Sequence, residues 1–165
     1  MKILDKYFNN PVMIDIIIGA IITAFIFILI QEDVFSIPKS QRSISMISDL
    51  SNIGFTSAGF ILTLLTVLIT FKSGSSVTKY NYNNENSVFE LFFASNLYFV
   101  TVKILKNAIK SLIVISVIGY ALKIGLSQDL LKYTFYFNVI GLTIVSLTLY
   151  RCLLILSQIM KMQEK

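Results

Sequence analysis

Four long apolar runs, separated by shorter polar stretches, dominate the pattern of hydrophobic and polar positions along this 165-residue chain. They cover residues 12–30, 50–71, 107–126 and 135–156. A helix needs about 20 mostly apolar residues to cross the hydrocarbon core of a bilayer. The pattern therefore predicts an all-α polytopic membrane protein, in which four antiparallel transmembrane helices form one bundle and one membrane domain over residues 1–165.

The polar stretch KSGSSVTKYNYNNENS, which follows the second run, is rich in Gly, Ser and Asn and is typical of a loop or hinge. After it, residues 88–126 contain no proline and no glycine before Gly119. A continuous helix of that length would measure about 60 Å, twice the thickness of the hydrocarbon core. We therefore expect a cytoplasmic loop and helix start over residues 72–106, with the third helix extending beyond the membrane or along its surface.

Composition and charge support this layout and suggest an orientation. Charged residues make up 14% of the chain, against about 25% in a soluble domain. The four apolar runs use about half of the chain, which leaves no room for a separate soluble domain of ordinary size. With both termini and the middle loop in the cytoplasm, ten basic residues lie on the cytoplasmic side and four on the other, as the positive-inside rule requires. The ten are Lys2, Lys6, Lys72, Lys79, Lys103, Lys106, Lys110, Arg151, Lys161 and Lys165, and the predicted location is the bacterial cytoplasmic (inner) membrane.

A ladder of small and polar residues runs through the second apolar run at steps of three and four, which puts its members on one helix face. Small residues permit close backbone approach, and Thr or Asn can hydrogen-bond across helices. Two interpretations are open: a packing seam inside the bundle, with Gly19 and Thr23 of the first helix as its natural partners, or the lining of a pore in an oligomer. The ladder consists of Asn52, Thr56, Gly59, Thr63, Thr66 and Thr70.

Ionisable residues inside the runs are rare, and two of them approach the same leaflet. A carboxylate at the centre of a transmembrane helix costs about 2.5–3.5 kcal/mol. Asp15 lies near the start of the first helix, where the helix dipole favours an anion, and Arg151 lies in the fourth run. We predict an intramembrane Asp15–Arg151 ion pair, which is either structural or part of a gate or ion pathway.

Three lysines repeat at helical spacing after a Phe-rich segment. Lys103, Lys106 and Lys110 fit an interfacial helix that contacts lipid phosphates, or a helix that packs against a partner or binds an anionic ligand. They have no accompanying pattern of aromatic residues suited to stacking on bases, so nucleic acid is not directly indicated.

Candidate chemistry is sparse. The chain has no histidine and one cysteine, Cys152, which we expect to behave as a small buried hydrophobe. A histidine-based zinc site or catalytic triad is not available, and no nucleophile elbow, P-loop or dinucleotide-binding motif occurs. We expect no catalytic residues, no metal, no cofactor and no enzymatic activity.

The stretch AGFILTLLTVLITFK (residues 58–72), followed by a polar loop and a helix rich in Phe and Lys, resembles the second span of small four-helix bacterial membrane proteins of antiphage defence systems. Examples are the membrane subunit of Kiwa and membrane accessories of CRISPR loci. The resemblance implies a membrane sensor or effector that oligomerises and works with a cytosolic partner.

Because so small a bundle has little room for a substrate cavity of its own, we expect a homo-oligomer, with a tetramer as the working number. The leading functional hypothesis is a membrane-embedded defence protein that docks a cytosolic partner through residues 72–110. The alternatives are a pore-forming effector or ion channel lined by the ladder, and an immunity protein against a bacteriocin or toxin.

Overall fold

The computed structural model describes residues 11–78, 92–93, 95–127 and 129–163. Four helices account for most of them: α1 (Pro11–Gln31), α2 (Ser40–Thr78), α3 (Asn96–Gly125) and α4 (Thr134–Gln163), the last preceded by a 3-10 turn over Leu131–Tyr133. The described ranges contain no strand. Each helix is long and apolar enough to cross a membrane, and the predicted all-α four-helix membrane fold is confirmed.

The helices α2 and α3 run antiparallel to each other, and so do α1 and α4. Gly54 of α2 faces Ser116 of α3, and Gly19 of α1 packs against Ile140 of α4. The most extensive contact joins α2 to α3, and the next joins α1 to α4. As a result α1 and α3 begin, and α2 and α4 end, at one end of the bundle, which we call the terminal face.

Small residues bring α2 and α3 close together. A Cβ atom added to Gly54 would collide with Ser116 Oγ, and one added to Gly119 would collide with Ser51 Oγ. Both serine hydroxyls donate to carbonyls of their own helices at 2.9 Å, so their polar groups are satisfied without water. At these two points the α2–α3 seam is built on a serine of one helix facing a glycine of the other.

The core lies between α2, α3 and α4. Ile61 and Leu112 have no exposed surface, and Leu50 and Val145 are almost fully buried. Large apolar side chains point outward on every helix, among them Phe25, Phe60, Val114 and Leu153. A bundle that buries its small and polar residues and presents Phe, Leu and Ile outward is suited to a lipid surrounding.

The ends of two helices differ from the sequence prediction. Residues 72–78, predicted as loop, continue α2, because the glycine and serines there weaken a helix by only about 1 kcal/mol or less each and an existing helix adds residues easily. The third helix begins at Asn96 rather than earlier, because Ser95 has an extended backbone and its Oγ accepts a hydrogen bond from Leu97 N at 3.2 Å, forming an N-cap.

The remaining part of the predicted loop and helix start, residues 79–91, lies outside the described residues. So do four of the basic residues that favour cytoplasmic termini. These four are Lys2, Lys6, Lys79 and Lys165.

Candidate functional site

A buried ion pair joins the first and last helices. Arg151 Nη1 lies 3.0 Å from Asp15 Oδ2, and the two side chains are 1% and 0% exposed. Arg151 Nη2 also donates to the hydroxyl of the buried Thr148 at 3.3 Å. Asp15 belongs to a stripe, with Pro11 and Gly19, that forms the buried side of α1. The structure therefore brings together the two residues that the sequence analysis paired.

The two members of this pair carry opposite charges that neutralise each other, and neither side chain reaches the surface. Removing one member of a buried pair leaves an uncompensated charge and typically destabilises a protein by about 3–5 kcal/mol. Apart from Asp15, α1 is almost entirely apolar, so the pair also fixes which side of α1 faces α4.

The ladder on α2, hereafter the α2 stripe, does not lie in the seam of the bundle. All six of its residues are exposed, on the side of the helix opposite to the buried Leu50, Gly54 and Ile61. The interpretation of the stripe as a seam within one bundle is therefore wrong. Ser51, Gly54 and their neighbours lie on the inward face of α2. There Ser51 packs against Gly119 of α3, and Gly54 packs against Ser116. The stripe consists of Asn52, Thr56, Gly59, Thr63, Thr66 and Thr70.

The proposed partners of the stripe on α1 lie elsewhere. Gly19 is buried against Ile140 of α4, and the hydroxyl of Thr23 donates to the Gly19 carbonyl at 2.8 Å. The small residues of α1 therefore serve the α1–α4 contact, because Asp15 and Arg151 turn this side of α1 toward α4.

Three of the four threonine hydroxyls of the α2 stripe are satisfied within the helix. Thr63, Thr66 and Thr70 each donate to the carbonyl four residues earlier, at 2.9–3.0 Å. Asn52 Oδ1 accepts a 2.6 Å hydrogen bond from the Tyr120 hydroxyl of α3. Nothing lies within 4 Å of a Cβ placed on Gly59. The stripe is thus a flat, weakly polar surface of α2 that a single bundle leaves uncovered.

A second stripe of small and polar residues, on α4, does lie in the core. Gly141 approaches Leu50 and Ile115, while Asn138, Thr148 and Cys152 are buried. The prediction that Cys152 is a buried thiol is confirmed. Over the described ranges, no group of three His, Cys, Asp or Glu side chains could hold a metal ion.

A cluster of aromatic rings and a lysine, hereafter the terminal aromatic cluster, ties α2 to the start of α3. Lys72 Nζ lies 4.2 Å from the ring centroid of Tyr98 and 4.1 Å from that of Phe99. Phe92 and Phe93 pack edge to face, with centroids 5.4 Å apart, and both contact Tyr98. The Phe-rich sequence indicates a surface for lipid or a partner. It does not predict the cation–π contacts, because the sequence pattern places Lys72 in a loop.

The three lysines of α3 differ in their surroundings. Lys103, Lys106 and Lys110 are all exposed, but of the three only Lys110 lines a groove, between α1 and α3. Any of them can contact an anion at the membrane surface; Lys110 can also contact a ligand that enters the bundle from the side.

Searches of protein-family models, of curated proteins and of solved structures found no match to this chain.

Proposed function

We propose that this chain is a non-enzymatic integral membrane protein that assembles into a homo-oligomer through the α2 stripe and presents its terminal face to a cytosolic partner. The exposure of the entire stripe is the observation that supports this assembly. Lipid tails pack against Leu at least as well as against Thr and Gly. A second helix, in contrast, can approach a surface of Thr and Gly closely.

The geometry of the stripe fits a helix–helix contact. Small side chains at Gly59, Thr63 and Thr66 allow two backbones to come near each other, and the threonine oxygens retain lone pairs that can accept further hydrogen bonds. Because these donors are already bonded within the helix, the threonine hydroxyls can face lipid before the subunits assemble.

The terminal face supplies the features expected of a docking surface for a soluble protein. The terminal aromatic cluster fixes the end of α2 against the start of α3. Lys103 and Lys106 follow the cluster along α3, one turn apart, and both are exposed. The positive-inside bias of the sequence supports placing this face in the cytoplasm of a bacterial cell. The lysines would attract an acidic partner surface.

The resemblance of residues 58–72 to the second span of antiphage defence membrane proteins supports a role as a membrane sensor or scaffold subunit of such a system. In that role the oligomer in the membrane concentrates several copies of the cytosolic partner.

Native mass spectrometry of the detergent-solubilised protein tests the assembly. We expect an oligomer for the wild type and a monomer for the double variant Thr63→Leu/Thr66→Leu. The matched control is Phe60→Leu/Leu62→Ile, which alters two exposed positions of the same turns on either side of the stripe. A wild-type monomer, or equal loss of assembly in both variants, would contradict the proposal.

Partner docking is tested by affinity purification from the native host. A soluble protein should accompany the wild type, be lost with Lys103→Glu/Lys106→Glu, and be retained with Lys123→Glu/Lys132→Glu at the opposite end of the bundle. Retention in both charge variants would argue against docking at the terminal face.

The second candidate function is a pore, because an oligomer that turned the α2 stripes toward a common axis would line that axis with threonine hydroxyls. Ion flux through liposomes separates the two candidates. A pore predicts flux that Thr63→Leu/Thr66→Leu abolishes, whereas tight liposomes that contain an intact oligomer exclude the pore and leave the scaffold proposal standing.

A further inference from the structure

The bundle is open on one side. α1 lies against α4 and has little contact with α3, which leaves a groove of about 340 Å³ between α1 and α3. Ile16 of α1 and Val114 of α3 line the groove, together with the buried Ile115 and Ile144. Pockets that hold small ligands measure about 300–1,000 Å³, so the groove is large enough for one.

One end of this groove lies beside the start of α1, at the terminal face, and polar residues border it there although apolar atoms make up almost all of its lining. Asn107, Lys110 and Ser111 line it there, beside Val12 in the first turn of α1. Helical side chains lean toward the N-terminus of their helix, and α3 begins at the terminal face. The Lys110 side chain therefore extends toward the headgroup region while its methylene stem covers the groove wall.

The charge at this end is positive. No carboxylate in the described part of the chain lies within ion-pair distance of Lys110. The nearby Asp15 is paired with Arg151 and has no exposed surface, so it cannot offset the lysine inside the groove. Apolar walls that end at a cation match a ligand with a hydrocarbon chain and an anionic head.

We propose that the groove binds one anionic phospholipid from the leaflet at the terminal face. Its acyl chain lies between α1 and α3, and its phosphate contacts the Lys110 ammonium group. This site lies on a different side of the bundle from the α2 stripe and does not depend on self-association.

The chain offers matched controls for this site. Lys106 is exposed on the same helix, one turn from Lys110, and does not line the groove. If the lysines only attracted anionic lipids to the membrane surface, Lys106→Gln and Lys110→Gln would have equal effects. A specific site predicts that they differ.

The test is native mass spectrometry of delipidated protein titrated with phosphatidylglycerol or phosphatidylcholine. We expect phosphatidylglycerol to bind more tightly, and Lys110→Gln to weaken its binding about fivefold while Lys106→Gln leaves it unchanged. Val114→Phe, which fills the groove, should weaken binding of both lipids. The thermal unfolding midpoint of Val114→Phe, measured in parallel, shows whether any loss of lipid binding is caused by misfolding. If it is, the surface variant Lys110→Gln still tests the site.

Three outcomes would overturn the proposal. The first is equal binding by the Lys110→Gln and Lys106→Gln variants. The second is no preference for phosphatidylglycerol over phosphatidylcholine. The third is displacement of the bound lipid by an equal concentration of glycerol 3-phosphate, which would mean that the phosphate alone is recognised and that the groove contributes nothing.

Discussion

Gly54 of α2 and Ser116 of α3 are in such close contact that a Cβ atom on Gly54 would collide with the Ser116 hydroxyl. The same relationship is repeated in reverse, with Gly119 of α3 against Ser51 of α2. These two contacts lie on one line along the helices and set how near α2 and α3 come. They decide which face of α2 turns inward and leave the α2 stripe on the outside.

Gly54→Val should destabilise the bundle, because the new methyl groups force α2 away from Ser116. Overpacking of this kind costs about 1–3 kcal/mol, and the thermal unfolding midpoint in detergent measures it. Gly74→Val is the matched control, since it introduces the same residue into the same helix at a position outside the α2 stripe where there is open space. Equal loss of stability in the two variants would contradict the assignment of the inward face.

Arg151→Met should destabilise the protein by about 3–5 kcal/mol, because Asp15 would remain buried without the cation at 3.0 Å. The double variant Asp15→Leu/Arg151→Met should recover most of that loss, since two apolar side chains replace two buried charges. Denaturant unfolding of the two single variants and the double variant gives the coupling energy. Additive losses would mean that the two residues act independently.

Tyr120→Phe should have a small effect on stability. The tyrosine hydroxyl bonds Asn52 Oδ1 at 2.6 Å on the exposed side of the α2–α3 contact, and hydrogen bonds between transmembrane helices contribute about 0.6 kcal/mol on average. The same unfolding experiment measures it, with Asn52→Leu and the double variant completing the cycle. A loss above 2 kcal/mol, on the order of a buried polar network, would show that this bond matters more than its exposed position implies.

Lys72→Met should loosen the terminal aromatic cluster, because the ammonium group lies over two rings at 4.1–4.2 Å. Cation–π contacts contribute about 0.5–2 kcal/mol. We expect faster hydrogen exchange of the amides in the first turns of α3, measured by mass spectrometry. Lys72→Arg, which preserves the cation, should exchange like the wild type. Unchanged exchange in Lys72→Met would mean that the rings hold α3 without the lysine.

The number of long apolar helices, and the Asp15–Arg151 pair, could be predicted from the sequence because each depends on strong local physics. Long apolar runs have one stable form in lipid, and two opposite charges buried at one depth have few alternatives to pairing. The end of α2 and the start of α3 could not be predicted in this way. Gly and Ser are compatible with both loop and helix, and the N-cap of Ser95 depends on one hydrogen bond within a continuous Phe-rich segment.

The choice of inward face on α2 could not be read from the sequence either. This helix carries two stripes of small residues on opposite sides, one through Ser51, Gly54 and Ala58 and the other through Gly59 and Thr63. Their composition is similar, and the outcome depends on what the facing helix offers. The spacing of Ser116 and Gly119 on α3 mirrors that of Ser51 and Gly54 on α2, but this match identifies the inward face only once the two helices are known to face each other.

Disulfide cross-linking in native membranes tests the central claim, that the α2 stripe is the contact between subunits. In a Cys152→Ala background, Thr63→Cys places a thiol on the stripe, whereas Phe60→Cys and Leu62→Cys place thiols on exposed flanks of the same helix. Mild oxidation should give a covalent dimer with Thr63→Cys and none, or far less, with the two flanking variants. Equal cross-linking at all three positions, or none at Thr63→Cys, would contradict assembly through this stripe.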